Sequence, residues 1–232
     1  MSNLRKPVYL LAGGKRGAKR PDPILETVFR ESGKLAPSVA YIGAATGDDR
    51  NFFRFIASGF KAAGAGEVKL VPLAGKTCSS AEAKKILQNA DVVFLSGGDV
   101  EAGMNVINHH HLQDYLFGLY QEGKLFFGLS AGSIMLGLEW IRWRNPEDDT
   151  SAELFPCLGI ASVICDTHAE EDNWMEIKAL LRLKAEGARG YGIPTGTALK
   201  VAPDGQLTAL GGAIPCFIRK GSLVEYEGDI KP

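Results

Sequence analysis

The chain has 232 residues, 45% of them hydrophobic and 23% charged, enough to bury a sizeable core as one large domain, or at most a domain with a small appendage, and it is read as a single domain over residues 1–232. Lys+Arg of 26 against Asp+Glu of 27 leave a formal net charge of -1, which gives no overall electrostatic reason to expect nucleic acid or an anionic membrane as partner. No segment reaches the roughly 20 consecutive apolar residues of a membrane span, so the expectation is a cytoplasmic protein acting on a small molecule or peptide, with a homo-oligomer left open.

The opening run, MSNLRKPVYLLAGG, places basic residues before a short apolar stretch and reads as a first strand rather than an export signal. From there to about residue 140, β-rich runs alternate with helix-like segments. Strands are predicted at 7–12, 38–42, 67–71, 91–95 and 124–127, with helices at 22–31, 48–63, 80–89 and 111–121. In the second of these helices Phe52, Phe53, Ile56, Phe60 and Ala63 share one face, Asp48 or Asp49 can cap the start, and Gly64 can end it. Such alternation implies a mainly parallel sheet with helices on both faces. Beyond residue 185 the texture changes to short strands and turns, read as antiparallel additions to the same sheet system near the C-terminus.

Ligands bind outside the carboxyl ends of the strands in an open parallel sheet, so the residues that follow each strand carry the chemistry. Three segments stand out. Gly13-Gly14-Lys15-Arg16-Gly17 follows the first strand but lacks the spacing of the nucleotide-binding glycine loops, and reads as a glycine-rich wall. Ser96-Gly97-Gly98-Asp99 follows the fourth. Gly128-Leu129-Ser130-Ala131-Gly132 follows the fifth, and is the G-x-S-x-G pattern of a nucleophile elbow, in which a tight strand-to-helix turn projects the serine hydroxyl from the sheet edge. If the fourth and fifth strands are neighbours, the N–H groups of Gly98 and Ala131 form an oxyanion hole. Gly97 lets the backbone approach closely, and Asp99 either meets a substrate amino group or fixes its own turn.

A serine nucleophile needs a base. Three of the four histidines are the run His109-His110-His111, read as a loop or a helix start; adjacent side chains cannot all face one ion, and no metal site is assigned. His168 is the isolated one. It follows a strand-like run at 161–165 and precedes Glu170-Glu171-Asp172, acids that suit a helix N-terminus, and it becomes the candidate general base for Ser130. The acid that would orient the imidazole falls in Glu147-Asp148-Asp149, with Asp148 or Glu147 favoured. Cys78, Cys157, Cys165 and Cys216 show no C-x-x-C spacing and are read as reduced thiols without function. No cofactor is called for.

The order LSGGD at 95–99, GLSAGS at 128–133, an acidic loop, DTH at 166–168 and GTALKV at 196–201, with YIGAATGD at 41–48, resembles the serine peptidase family that includes peptidase E (aspartyl dipeptidase) and cyanophycinase. The resemblance spans nearly the whole chain. It implies a class I glutamine amidotransferase-like, flavodoxin-like α/β fold with serine as nucleophile, and it places nucleophile and histidine at Ser130 and His168 and oxyanion donors at Gly98 and Ala131. The chain departs from cyanophycinase-like sequences after His168, where it reads AEEDNW, and before GTAL, where it reads GIPT. Lys15, Arg16, Arg142 and Arg144 are the basic residues available to hold a substrate carboxylate. The functional expectation is hydrolysis of a small peptide, an Asp-containing dipeptide among the candidates. The alternatives are a cyanophycinase-like hydrolase of β-aspartyl-arginine, an α/β-hydrolase-type esterase, and a non-catalytic binding protein on the same fold.

Overall fold

The computed structural model describes residues 5–14, 22–75, 78–145 and 147–232. In chain order the elements are β1 (Val8–Leu11), α1 (Pro23–Glu31), β2 (Val39–Ile42), α2 (Arg50–Ala62), β3 (Val68–Val71), α3 (Ser80–Asn89), β4 (Val92–Leu95), α4 (Val100–His109), α5 (Gln113–Gln121), β5 (Leu125–Leu129) and α6 (Ala131–Leu136). Then come β6 (Glu139–Trp143), β7 (Ala152–Pro156), β8 (Cys165–Thr167), α7 (Met175–Arg182), β9 (Arg189–Ile193), β10 (Ala198–Val201), β11 (Leu207–Leu210), β12 (Ile214–Lys220) and β13 (Leu223–Ile230).

The main sheet has seven strands in the order β11-β10-β1-β5-β4-β2-β3. β1, β5, β4, β2 and β3 run parallel, while β10 and β11 are antiparallel additions at one edge. Strand alternation sorts the core into two faces. Val8, Leu10, Val93, Leu95 and Phe126 pack with Leu87 of α3, Met104 of α4, Leu116 of α5 and Met135 of α6. Tyr9, Leu11, Phe94, Leu125 and Phe127 face the other way, onto Val28 and Phe29 of α1 and Phe60 of α2. There Phe60, Phe94 and Phe127 form an aromatic cluster with ring centroids 4.7 to 5.3 Å apart. Truncating one of these buried rings costs about 3–5 kcal/mol.

Helices are capped by the residues their sequences offer. Asp22, Asp49, Ser79 and Asp99 each accept a hydrogen bond from a first-turn N–H of α1, α2, α3 and α4. Asp49 therefore takes the cap of α2. Asp48, at φ 59°, instead accepts from Leu73 and Ala74 N–H, tying the turn after β2 to the turn after β3.

Three sequence expectations change. The stretch after Asp99 is a helix, α4, where none was predicted: His109 lies in its last turn, His110 caps it, and His111, at φ 52°, lies in the turn that leads to α5. His110 Nε2 lies 2.7 Å from Leu73 O and Nδ1 lies 2.7 Å from Ser80 Oγ. A carbonyl can only accept, so Nε2 carries the proton and Nδ1 accepts from the Ser80 hydroxyl. This histidine is a structural clasp. Second, β12 and β13 do not join the main sheet. They build a separate four-stranded sheet, β13-β12-β9-β8, because α7 supplies Ile177, Leu180 and Leu181 as an apolar face that Phe217 of β12 and Ile164 cover. Third, Glu170–Asp172 precede α7 as turn residues, and Trp174, at φ 62°, occupies the cap position.

Candidate active site

The topology creates a switch point at β5. α1 leaves β1 toward one face of the sheet and α6 leaves β5 toward the other, so a crevice opens between the carboxyl ends of β1, β5 and β4. Ser130 sits at that place, as the residue before α6, with φ 53° and ψ -124°. This backbone region is costly for an L-residue, on the order of 1–3 kcal/mol, and it persists because its surroundings over-determine it. The Ser130 N–H donates to Leu11 O at 2.8 Å, and the Ser133 hydroxyl donates to the same carbonyl at 2.9 Å. Close packing behind the turn demands glycine at 132, where a Cβ would run into the Leu95 carbonyl.

The strain turns the serine side chain toward β8. Ser130 Oγ lies 2.7 Å from His168 Nε2, a contact between segments 38 residues apart in the chain. His168 is itself held in a left-handed backbone conformation at φ 44°, and its N–H donates to Ile193 O of β9 at 2.9 Å. In the tautomer with hydrogen on Nδ1, Nε2 accepts from the hydroxyl and is placed to take its proton.

The loop after β4 forms the opposite wall. Gly97 is buried, and a Cβ there would lie 3.2 Å from Ser130 Cβ and 3.7 Å from Oγ, so its backbone directly flanks the hydroxyl. Gly98 follows at φ 138°, with no room for a side chain beside the Ala45 carbonyl. On the far side of Ser130, Ala131 is the first residue of α6, where helix N–H groups lack intrahelical carbonyl partners. Asp99 accepts from Ala102 N–H at 2.7 Å and so caps α4.

The acidic loop lies after β6. Asp148 accepts from both the N–H and the hydroxyl of Thr150, which holds its carboxyl below the usual carboxylate range. The Glu147 N–H is held by the Asn145 side chain. Among the described residues no hydrogen bond joins Asp148 or Glu147 to His168, and the side chain of Asp149 lies outside them. Lys15, Arg16 and Gly17 also lie outside the described residues. Arg142 donates to Glu153 and Glu101, and Arg144 donates to Glu153, so both guanidinium groups are already matched by carboxylates.

Two acids near His168, Glu170 and Asp166, were not among the candidate site residues read from the sequence. Glu170 accepts a 2.6 Å hydrogen bond from Thr195 N–H, across the gap to the loop after β9. Asp166, two residues before His168 on β8, is buried: one oxygen accepts from Thr167 N–H at 2.7 Å and the other has no partner. Burial, aided by the nearby Glu176 and Asp172, pushes its carboxyl up to about 7. The only signal for either in the sequence is proximity to His168.

A serine in a strained backbone conformation at the switch point of a mainly parallel sheet, its hydroxyl 2.7 Å from an imidazole nitrogen, marks the candidate site of this α/β protein. The chain belongs to peptidase family S51, whose family model matches residues 8–208, and this membership supports a serine peptidase. The crystal structure of a peptidase from an acI-B1 actinobacterium is similar, with a TM-score of 0.70 at 19% identity, covering 98% of this chain and 97% of that one. A candidate peptidase E protein from Listeria monocytogenes EGD-e matches with a TM-score of 0.64 at 16% identity, covering 89% of this chain and 98% of that one. At these identities the likeness is one of fold. No protein of curated function matches the sequence.

Proposed function

We propose that the chain hydrolyses a short peptide through an acyl-enzyme, with Ser130 as nucleophile and His168 as general base, and with Asp-containing dipeptides as the first substrates to test. The observation that carries this reading is the 2.7 Å approach of Ser130 Oγ to His168 Nε2 from a backbone conformation that serine adopts only under constraint. Ser130 Oγ attacks the scissile carbonyl carbon while its proton passes to His168 Nε2. The Gly98 and Ala131 N–H groups stabilise the oxyanion, and loss of one such donor typically costs about 100- to 1,000-fold in rate. His168 then gives the proton to the leaving amine as the C–N bond breaks. Water attacks the resulting ester, its proton goes to His168, and Ser130 leaves as the hydroxyl. Gly97 supports the reading by leaving the hydroxyl accessible from the side of β4.

The test is free-amine release from a panel of α-Asp-X dipeptides, β-Asp-Arg and neutral dipeptides, with wild type beside Ser130→Ala. Cleavage of α-Asp-X by wild type alone supports the dipeptidase reading. Preference for β-Asp-Arg moves the specificity to the cyanophycinase type, and turnover of p-nitrophenyl acetate with none of peptides moves it to an esterase. A folded wild type whose Ser130 reacts with no fluorophosphonate sinks the catalytic reading and leaves a binding protein.

A further inference from the structure

The main sheet ends at β3, and among the described residues no strand pairs with its outer side. β3 runs parallel to β2 with Val39 opposite Val68 and Tyr41 opposite Leu70, and the Val39 N–H donates to Glu67 O at 2.8 Å. In a parallel ladder alternate residues bond to the neighbouring strand. The backbone groups of Glu67, Lys69 and Val71 therefore turn toward β2, while the N–H and C=O of Val68 and Leu70 point outward.

The side chains divide between the two faces. Glu67 and Lys69 are exposed and line a groove with Glu82, Lys85, Ile86 and Asn89 of α3. Val68 and Leu70 are half-buried against the cluster that contains Phe60 of α2. Lys69 Nζ lies 3.1 Å from Glu67 Oε2, so the strand presents one base and one acid, two residues apart on the same face. A lysine on an edge strand normally discourages pairing with another chain. The acid beside it removes that protection against one partner, an antiparallel copy of the same strand.

Three two-fold registers bring the outward groups of Val68 and Leu70 face to face with their equivalents. Centred on Lys69, the pairing sets Lys69 against the partner's Lys69; centred on Leu70, it sets Lys69 against the partner's Val71. Centred on Val68, it sets Glu67 against the partner's Lys69 and Lys69 against the partner's Glu67, two opposite-charge pairs on the α3 face, while Val68 meets the partner's Val68 on the α2 face. The groove holds two acids and two bases, and the chain has a net charge of -1, so little long-range repulsion opposes the approach. β13, an edge of the smaller sheet, reads LVEYEGDI, three acids without a base, and a second copy there would meet like charge.

We propose that the chain forms a two-fold dimer through β3, paired antiparallel about Val68. The contact joins two main sheets into one continuous sheet and closes at two copies, because each copy has a single β3 edge to offer. β4 and β2 stand between this edge and β5, so the dimer leaves the crevice at Ser130 open.

Sedimentation velocity of the full chain from about 1 to about 300 µM is expected to show monomer passing to dimer, with no larger species. Lys69→Glu sets acid against acid in both cross-strand pairs, and Glu67→Lys sets base against base. Each is expected to weaken dimerisation by about tenfold or more at low ionic strength. The double variant Glu67→Lys/Lys69→Glu restores opposite charges in the same register and should recover dimerisation close to the wild-type level. Both side chains are exposed, so all three variants should melt near wild type, which separates lost association from lost folding. A wild type that stays monomeric over the whole range overturns the proposal. So does a dimer that neither single reversal weakens, which places the interface on another surface, and so does a double variant as weak as the singles, which excludes this register.

Discussion

The Asp99 N–H donates a 2.9 Å hydrogen bond to the Ala45 carbonyl, which clips the loop after β4 to the loop after β2. Gly98 is pressed against that same carbonyl, and Gly97 is thereby held beside Ser130. The wall of the crevice at Ser130 is thus set by a contact on the side of the loop away from that residue.

Gly98→Ala should break this arrangement. The new methyl would overlap the Ala45 carbonyl, and φ 138° is a region that L side chains rarely adopt. Strain of about 1–3 kcal/mol is expected, relieved by movement of the loop away from Ser130. Thermal melting should show a drop of several degrees, and fluorophosphonate labelling of Ser130 should slow by about 100-fold or more through loss of a donor. A variant that melts lower but labels at the wild-type rate would place the oxyanion donor elsewhere.

Ser130→Gly should do the reverse to stability. Glycine adopts φ 53°, ψ -124° without the Cβ conflict that serine carries, while Ser130→Ala keeps it. Glycine should therefore raise the melting temperature by a few degrees, for a gain of about 1 kcal/mol, while alanine leaves it near wild type. Both variants should lose peptide hydrolysis. Equal melting temperatures for glycine and alanine at this position would mean that the elbow stores no strain.

Much of this was legible in sequence because it is written in local patterns. The alternation of Val8, Leu10 against Tyr9, Leu11 marks a strand buried on both faces, and Asp22, Asp49 and Ser79 announce helix starts. The elbow reads from five residues because neither Gly128 nor Gly132 has room for a side chain and the residue between them must take an unusual backbone conformation. α4 was not predicted, although Asp99 is a good cap for it. The departure of β12 and β13 from the main sheet depends on α7 packing against Phe217, a contact distant in the chain that no window of residues displays. Glu170 was likewise hidden. Its place is set by Thr195, and only the pairing of β8 with β9 brings the two segments together.

Tyr9 offers a test of how the sheet edge is held. Its ring is fully buried, and its hydroxyl donates to Glu31 of α1, which also receives Lys200 Nζ of β10 at 2.6 Å. Burial, reinforced by Glu31, raises the tyrosine well above its ordinary value, so it stays a donor throughout the accessible range. Tyr9→Phe should cost about 1–2 kcal/mol, as for a hydrogen bond to a charged group, and lower the melting temperature by a few degrees with no change in Ser130 labelling. A neutral result would mean that Lys200 alone satisfies the carboxylate.

Asp166 gives the stability of the protein a specific pH dependence. Burial raises its carboxyl from 3.8 to about 7 in the folded state, so between those values the folded chain binds a proton that the unfolded chain has released. Stability contributed by this group is therefore present at low pH and falls as pH rises toward about 7, the opposite of a salt-bridged carboxylate. Asp166→Asn removes the ionisation, and its amide N–H groups suit a neighbourhood that already holds Glu176 and Asp172. Melting curves at several pH values should show the variant gaining on wild type as pH rises from about 5 to about 8, with little difference at the acid end. If the gap between the two curves is constant over that interval, Asp166 does not titrate there and its unpartnered oxygen is satisfied in some other way.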